Sequence, residues 1–159
     1  MSRISTPFGF SSTAGDVTAG IDMSGKRVVV TGPYDAIVAY GQSKSATALL
    51  AVGATRRWAA DGITANAVMP GAIATNLQRH TGGLRTPIER RKSHEQGAST
   101  TLLAATSPLL KGIGGRYLED NSEAFPVTRR SASLTGVARY ALDTANADRL
   151  WDLSLELLS

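Results

Sequence analysis

The 159-residue sequence predicts an α/β layer of about three parallel strands with flanking helices. Three observations predict it. Short β-branched or apolar runs recur at 26–30, 63–69 and 115–119. Segments with helical periodicity follow each of them. Thr31-Gly32-Pro33 and Pro70-Gly71 stop the first two runs abruptly. The order β, α, β, α, β, α makes right-handed crossovers between parallel strands the expected connection.

The elements follow in chain order. Residues 1–24, rich in Ser, Thr and Gly, read as a polar lead-in, and 25–159 as a single domain. Over 38–60 the pattern is helical, with Ala46, Leu49, Leu50, Gly53, Ala54, Arg57 and Trp58 on one face. Ala48, Ala51, Val52 and Ala59 leave the opposite face apolar too, so burial on two sides is expected. Asp61-Gly62 ends the helix as a glycine cap. Residues 63–69 are apolar apart from Thr64 and Asn66, as in a strand covered on both faces. Pro70-Gly71 leads into a loop over 72–84, at the carboxyl end of a strand, where open α/β sheets bind ligands. Ser93 with Gln96 forms a capping box for a helix reaching Thr106, where Ser107-Pro108 stops it. After the strand at 115–119 and a loop through Pro126, the amphipathic stretch 146–158 is expected to dock as a closing helix.

Bulk properties restrict the function. A chain of this length buries about 70% of its unfolded surface, enough for a real core. The hydrophobic share of 42% and the charged share of 19% are those of an ordinary globular protein. With no cysteine, disulfides, thiolate metal sites and a cysteine nucleophile are excluded. The net charge of +4 gathers partly in Arg85, Arg90, Arg91 and Lys92. No aromatic residues interleave this cluster to stack bases, so it reads as a solvated face and no nucleic-acid partner is expected. His80 and His94 are far apart and read as surface residues, with no metal site. There is no stretch of signal-peptide length and no membrane span, so a cytoplasmic location is expected.

The chemistry sits in Tyr40-Gly41-Gln42-Ser43-Lys44. A spacing of four puts phenol and ammonium on one side of a helix. A phenol is a poor base at neutral pH, and a fixed cation within about 4–6 Å favours its ionised form. Such a tyrosine can exchange a proton with a carbinol oxygen while a hydride moves to or from a nicotinamide. Alone, a Tyr-x-x-x-Lys match occurs by chance in many helices.

Here the match stands in a longer frame: Tyr40, Lys44, the strand 63–69, Pro70-Gly71 and then Thr75. In that frame the chain resembles the short-chain dehydrogenase/reductase family. Ala39 to Lys44, Gly71-Ala72-Ile73-Ala74-Thr75-Asn76-Leu77 and Gly114-Gly115-Arg116-Tyr117-Leu118-Glu119-Asp120 look like its retinol-dehydrogenase-like and protochlorophyllide-reductase-like subgroup. The resemblance implies a truncated Rossmann-like layer and an NAD or NADP cofactor. It implies an alcohol or carbonyl as small-molecule substrate. Tyr40 and Lys44 would be catalytic, with Lys44 also bonding the nicotinamide ribose. Thr31 and Gly32 would open the phosphate loop. Pro70, Gly71, Ile73 and Thr75 would hold the carboxamide and phosphates.

The chain departs from the family pattern after Gly32. Pro33-Tyr34-Asp35 stands where further glycines belong, and the family's serine before the tyrosine helix has no counterpart. Thr31 is spaced too closely to Tyr40 to replace that serine. Four strand-helix units of about 30 residues each, on the order of 120 residues, would be missing at a junction near 32/33. The first strand is then expected in the slot of the fifth, beside 63–68. Gly112-Ile113-Gly114-Gly115 precedes a strand instead of following one, so it reads as a turn and not as a substitute phosphate loop. Faces stripped of their usual helices favour a homo-oligomer. The expectation is therefore an oxidoreductase whose activity is impaired. The alternative is a non-catalytic remnant that associates with itself or with an intact relative.

Overall fold

Asp35 starts the first described helix. Its carboxylate accepts hydrogen bonds from the N–H groups of Ile37 and Val38 at 2.8 and 2.9 Å, capping α1, Ala36–Trp58. The structure, a computed structural model, describes residues 35–76, 78, 82–129 and 134–159. The lead-in, the strand expected over 26–30, Thr31, Gly32, His80 and the expected slot of the first strand lie outside the described residues.

Beyond α1 a 3-10 turn, Ala59–Asp61, ends on Gly62 at φ 77°, the glycine cap expected from the sequence. The central strands are β1, Ala67–Met69, and β4, Tyr117–Glu119, paired in parallel with Val68 opposite Leu118. Between them come β2, Ala72–Ile73, β3, Arg91–Lys92, and the helix α2, His94–Thr106. β2 and β3 pair in parallel. Ser93 and Gln96 form the expected capping box on α2. The chain closes with α3, Thr144–Leu158, capped by Asp143. No helix among the described residues is long and apolar enough to cross a membrane.

This is the truncated α/β layer expected, with differences. Only 67–69 of the run 63–69 is strand. The third member of the sheet is β5, Ser122–Glu123, which pairs antiparallel with β4 through a two-residue turn. Asp120 and Asn121 both take positive φ, 47° and 62°, as a type I′ hairpin requires. A further parallel pair, β6, Pro126–Val127, and β7, Val137–Ala138, lies at and beyond the end of the loop expected through Pro126, where no element was expected.

The second half of α1 is buried against both the sheet and α3, as expected, while its first half is open to solvent. Its buried residues are Ala48, Ala51, Val52, Gly53 and Ala54, while Leu50 and Trp58 are 54% and 43% exposed. The buried stripe faces a core made mostly of alanines, Ala67, Ala124, Ala141 and Val137 among them. Against α3 the contact is closer still. Gly53 leaves room for Trp151, whose Cε3 would stand 3.2 Å from a Cβ there. Trp151 meets Trp58 edge to face at 5.3 Å and carries the Arg57 guanidinium over its ring at 4.5 Å. Arg57 in turn bonds Asp148 at 2.9 Å.

In the same last turns of α1, Thr55 Oγ accepts from the Ala65 N–H and donates to the Ala65 carbonyl, both at 2.9 Å. Asn66 donates to the Ile113 carbonyl at 3.0 Å and accepts from the Arg116 N–H at 2.9 Å. Gly114 and Gly115 are therefore a turn that sets the register of β1 on β4, as the sequence suggests.

Two consequences are testable. A Cβ on Gly114 would meet Thr55 Cγ2 and Thr64 Cβ at 2.8 Å, so Gly114→Ala is expected to cost about 1–3 kcal/mol by urea unfolding. The hydrogen bond from Arg57, helped by Arg56, holds the Asp148 carboxyl below its ordinary value. A depressed folded value gives stability that is present above the unfolded value near 3.8 and lost as pH falls through the folded one. Asp148→Asn should lower the melting temperature at neutral pH and leave it unchanged well below that range.

Candidate active site

Near the end of α1, Thr55 bonds Ala65 just before β1 and so ties the last turns of the helix to the start of the strand. Its first turns lie at the end of the helix away from that contact. These turns carry Tyr40 and Lys44, one turn apart on one side. Lys44 Nζ stands 5.2 Å from the centroid of the Tyr40 ring, a distance at which the ring face attracts an ammonium. Both side chains are open to solvent, Tyr40 64% exposed. The Ser43 hydroxyl donates to the Tyr40 carbonyl at 2.7 Å and so is held on the helix backbone. The pair offers an accessible phenol hydroxyl with a cation beside it.

The second group of expected residues surrounds the exit from β1. Pro70 is exposed, and Gly71 has φ 94°, a conformation that favours glycine. The Gly71 N–H points to Met69 Sδ at 3.1 Å. Ile73 is half-buried against α2, where a Cβ on Gly97 would meet its Cγ1 at 2.8 Å. Thr75 is exposed, and its N–H and hydroxyl both donate to Gln78 Oε1, at 2.7 and 3.1 Å. Gln78 Nε2 returns a bond to the Ile73 carbonyl at 3.1 Å. One glutamine thus holds the loop after β2 in a closed turn. Of the remaining expected residues, Thr31 and Gly32 are not described.

Sequence reasoning overlooked Gln78, Tyr117, Asp35 and the Lys92–Asp120 pair. Tyr117 is half-buried at the start of β4. Burial raises its phenol above the ordinary range, and the Glu119 carboxylate and the Tyr40 phenol act in the same direction. It therefore keeps its proton and places an uncharged hydroxyl in the neighbourhood of Tyr40. Two members of the basic cluster serve the fold. Arg91 donates to the Thr86 and Leu84 carbonyls at 2.7 and 2.9 Å, and Lys92 pairs with Asp120. His94 is exposed at the first position of α2. Among the described residues no three His, Asp or Glu side chains gather as a metal site would need.

No model of a protein family matches the chain, and no solved structure matches it. It is similar to a probable oxidoreductase of Streptomyces antibioticus, 51% identical over 139 residues, 79% of this chain and 46% of that protein. It is similar to the short-chain dehydrogenase/reductase prx1 of Penicillium roqueforti, 36% identical over 166 residues, 98% of this chain and 49% of that protein. Polyprenol dehydrogenase of Mus musculus is 39% identical over 132 residues, 78% of this chain and 36% of that protein. The chain thus spans about half the length, or less, of these curated relatives.

A raised folded value means that Tyr117 contributes stability present below the ordinary phenol value of 10.0 and lost as pH rises through the folded one. Tyrosinate absorbance followed into the alkaline range is expected to show one late transition. Tyr117→Phe should remove it, and Glu119→Gln should move it to lower pH.

Proposed function

We propose that this chain, which belongs to the short-chain dehydrogenase/reductase family, performs the proton-transfer part of an NAD(P)-dependent interconversion of an alcohol and a carbonyl. The observation that carries the reading is the exposed Tyr40 with Lys44 Nζ 5.2 Å from its ring. When bound, the nicotinamide supplies or accepts the hydride at the substrate carbon. Tyr40 Oη gives a proton to the carbonyl oxygen in reduction and takes one from the alcohol in oxidation. Lys44 lies where its charge offsets the negative charge Tyr40 acquires on giving up that proton. Ile73 and Thr75 border the nicotinamide end, and Thr75 binds there by exchanging its bonds to Gln78.

The residues fit the two ends of a dinucleotide unequally. At the nicotinamide end, Tyr40, Lys44 and Thr75 are exposed, and the place a Cβ on Gly71 would take is filled by the Lys92 stem. At the start of α1, where a phosphate would need free N–H groups, Asp35 already occupies those of Ile37 and Val38. A carboxylate at that place repels a phosphate and takes the donors it would need. Pro33 has no N–H to give. The reading is therefore of a weak dinucleotide site and impaired hydride transfer in the isolated chain.

A second reading, a non-catalytic chain that acts by self-association, draws on the apolar side of α3, where Leu155 and Leu158 are 58% and 79% exposed. Titration of the folded chain with NADH and NADPH by fluorescence, beside thermal melting, separates the two readings. The enzyme reading expects saturable but weak binding. It also expects Tyr40→Phe to lower any turnover about 100-fold or more while leaving that binding intact. No binding by a cooperatively melting chain would remove the enzyme reading and leave the associating one, which sedimentation would then test.

A further inference from the structure

The Pro70-Gly71 turn is covered from one side by a single residue. Lys92 stands on β3 opposite Ile73 of β2. A Cβ on Gly71 would meet its Cδ at 2.7 Å and its Cε at 3.0 Å, so the lysine stem lies on the glycine backbone. The Nζ then reaches Asp120 in an ion pair. Asp120 is the first residue of the type I′ turn that follows β4, and this turn is fastened from behind. The Asn121 N–H donates at 3.1 Å to Thr100 Oγ, a side chain with no exposed surface. Met69, the last residue of β1, is paired with Glu119, the last of β4.

A closed circuit results. It runs from the end of β1 through Pro70-Gly71 to β2, across to Lys92, through its ammonium to Asp120, and back along β4. The circuit encloses the carboxyl ends of the two parallel strands, where open α/β sheets bind ligands. Lys92 is half-buried, its side chain 23% exposed, and Asp120 is held in a conformation that Asp and Asn tolerate better than other L-residues. Neither end of the strap is a long side chain wandering in solvent.

We propose that Lys92 is a positioning residue for the nicotinamide end of the dinucleotide site: acting through Asp120, it holds the Gly71 to Ile73 backbone in its binding conformation. The inference rests on the reading of the site under Proposed function. Lys92→Met keeps the stem over Gly71 and removes the charge, and Asp120→Asn keeps the turn and removes its partner. Each is expected to raise the NADPH dissociation constant about fivefold, the reach of one partly exposed ion pair. The double variant should be no worse than either single, and the melting temperature should stay within a few degrees of the parent's. Amide exchange should quicken at Ala72 and Ile73 and not at Val52 or Leu118.

Unchanged exchange at Ala72 and Ile73 in both single variants would overturn the strap. So would losses of affinity that simply add in the double variant. If the parent chain binds neither NADH nor NADPH, it is the reading of the site that fails. The strap is then decided by exchange alone, quickening confined to 72–73 supporting it and none refuting it.

Discussion

Close approach of backbones governs this structure. The buried stripe of α1 contains nothing larger than valine, and much of what it meets is alanine or glycine: Ala67, Ala124 and Ala141 of the core, Ala147 of α3, and Gly114 and Gly115 near its end. Alanines bury little apolar area each, about that of one methyl, so the core gains by packing density and not by large side chains. Such a core has little slack. Trp151 fits against α1 because Gly53 has no Cβ, and Thr55 reaches Ala65 because Gly114 stands clear. Gly53 thus sets the fit of α3 on α1, and Gly114 the fit of α1 on the start of β1.

The same helix divides its labour by position. From Ala48 onward it is packed; before Ala48 it stands largely exposed, with Asp35 as its first anchor. Tyr40 and Lys44 lie in the exposed part and are aimed by the packed part. For the acid/base role proposed for Tyr40, rigid support behind and open space in front are what such a group needs to reach a substrate oxygen without losing its geometry. The loop after β1 has the complementary construction. Its backbone conformation is set by Gly71, and it is fastened by Gln78 on one side and Lys92 on the other.

Much of this was legible in the sequence. The positions of α1, α2 and the two parallel strands followed from periodicity and from Pro-Gly punctuation, and the Ser93 capping box was readable as spelled. The hairpin β4–β5 escaped because Asp120-Asn121 is a weaker turn signal than a glycine pair, although both residues tolerate positive φ. The two-residue strands β2, β3, β6 and β7 carry too few side chains for any period to appear. The burial of α1 was overcalled only in extent, because an alanine-rich helix is apolar along its whole length whether or not every turn is covered; Leu50 and the turns before Ala48 stay open. At the site, Tyr40 and Lys44 stood out by their spacing. Gln78, Lys92 and Asp120 had no such mark, because their roles depend on partners brought together only by the fold.

The exposed beginning of α1 has a consequence for how such a chain changes over generations. Substitutions at Tyr40, Gly41 or Lys44 disturb no packed neighbour, so the chain can gain or lose chemistry there while its folding is conserved by a different set of residues. Selection for a stable scaffold and selection for a reaction therefore act on separate stretches of one helix. A lineage that no longer needs the reaction can drift at its front end long before its core shows any sign of relaxation.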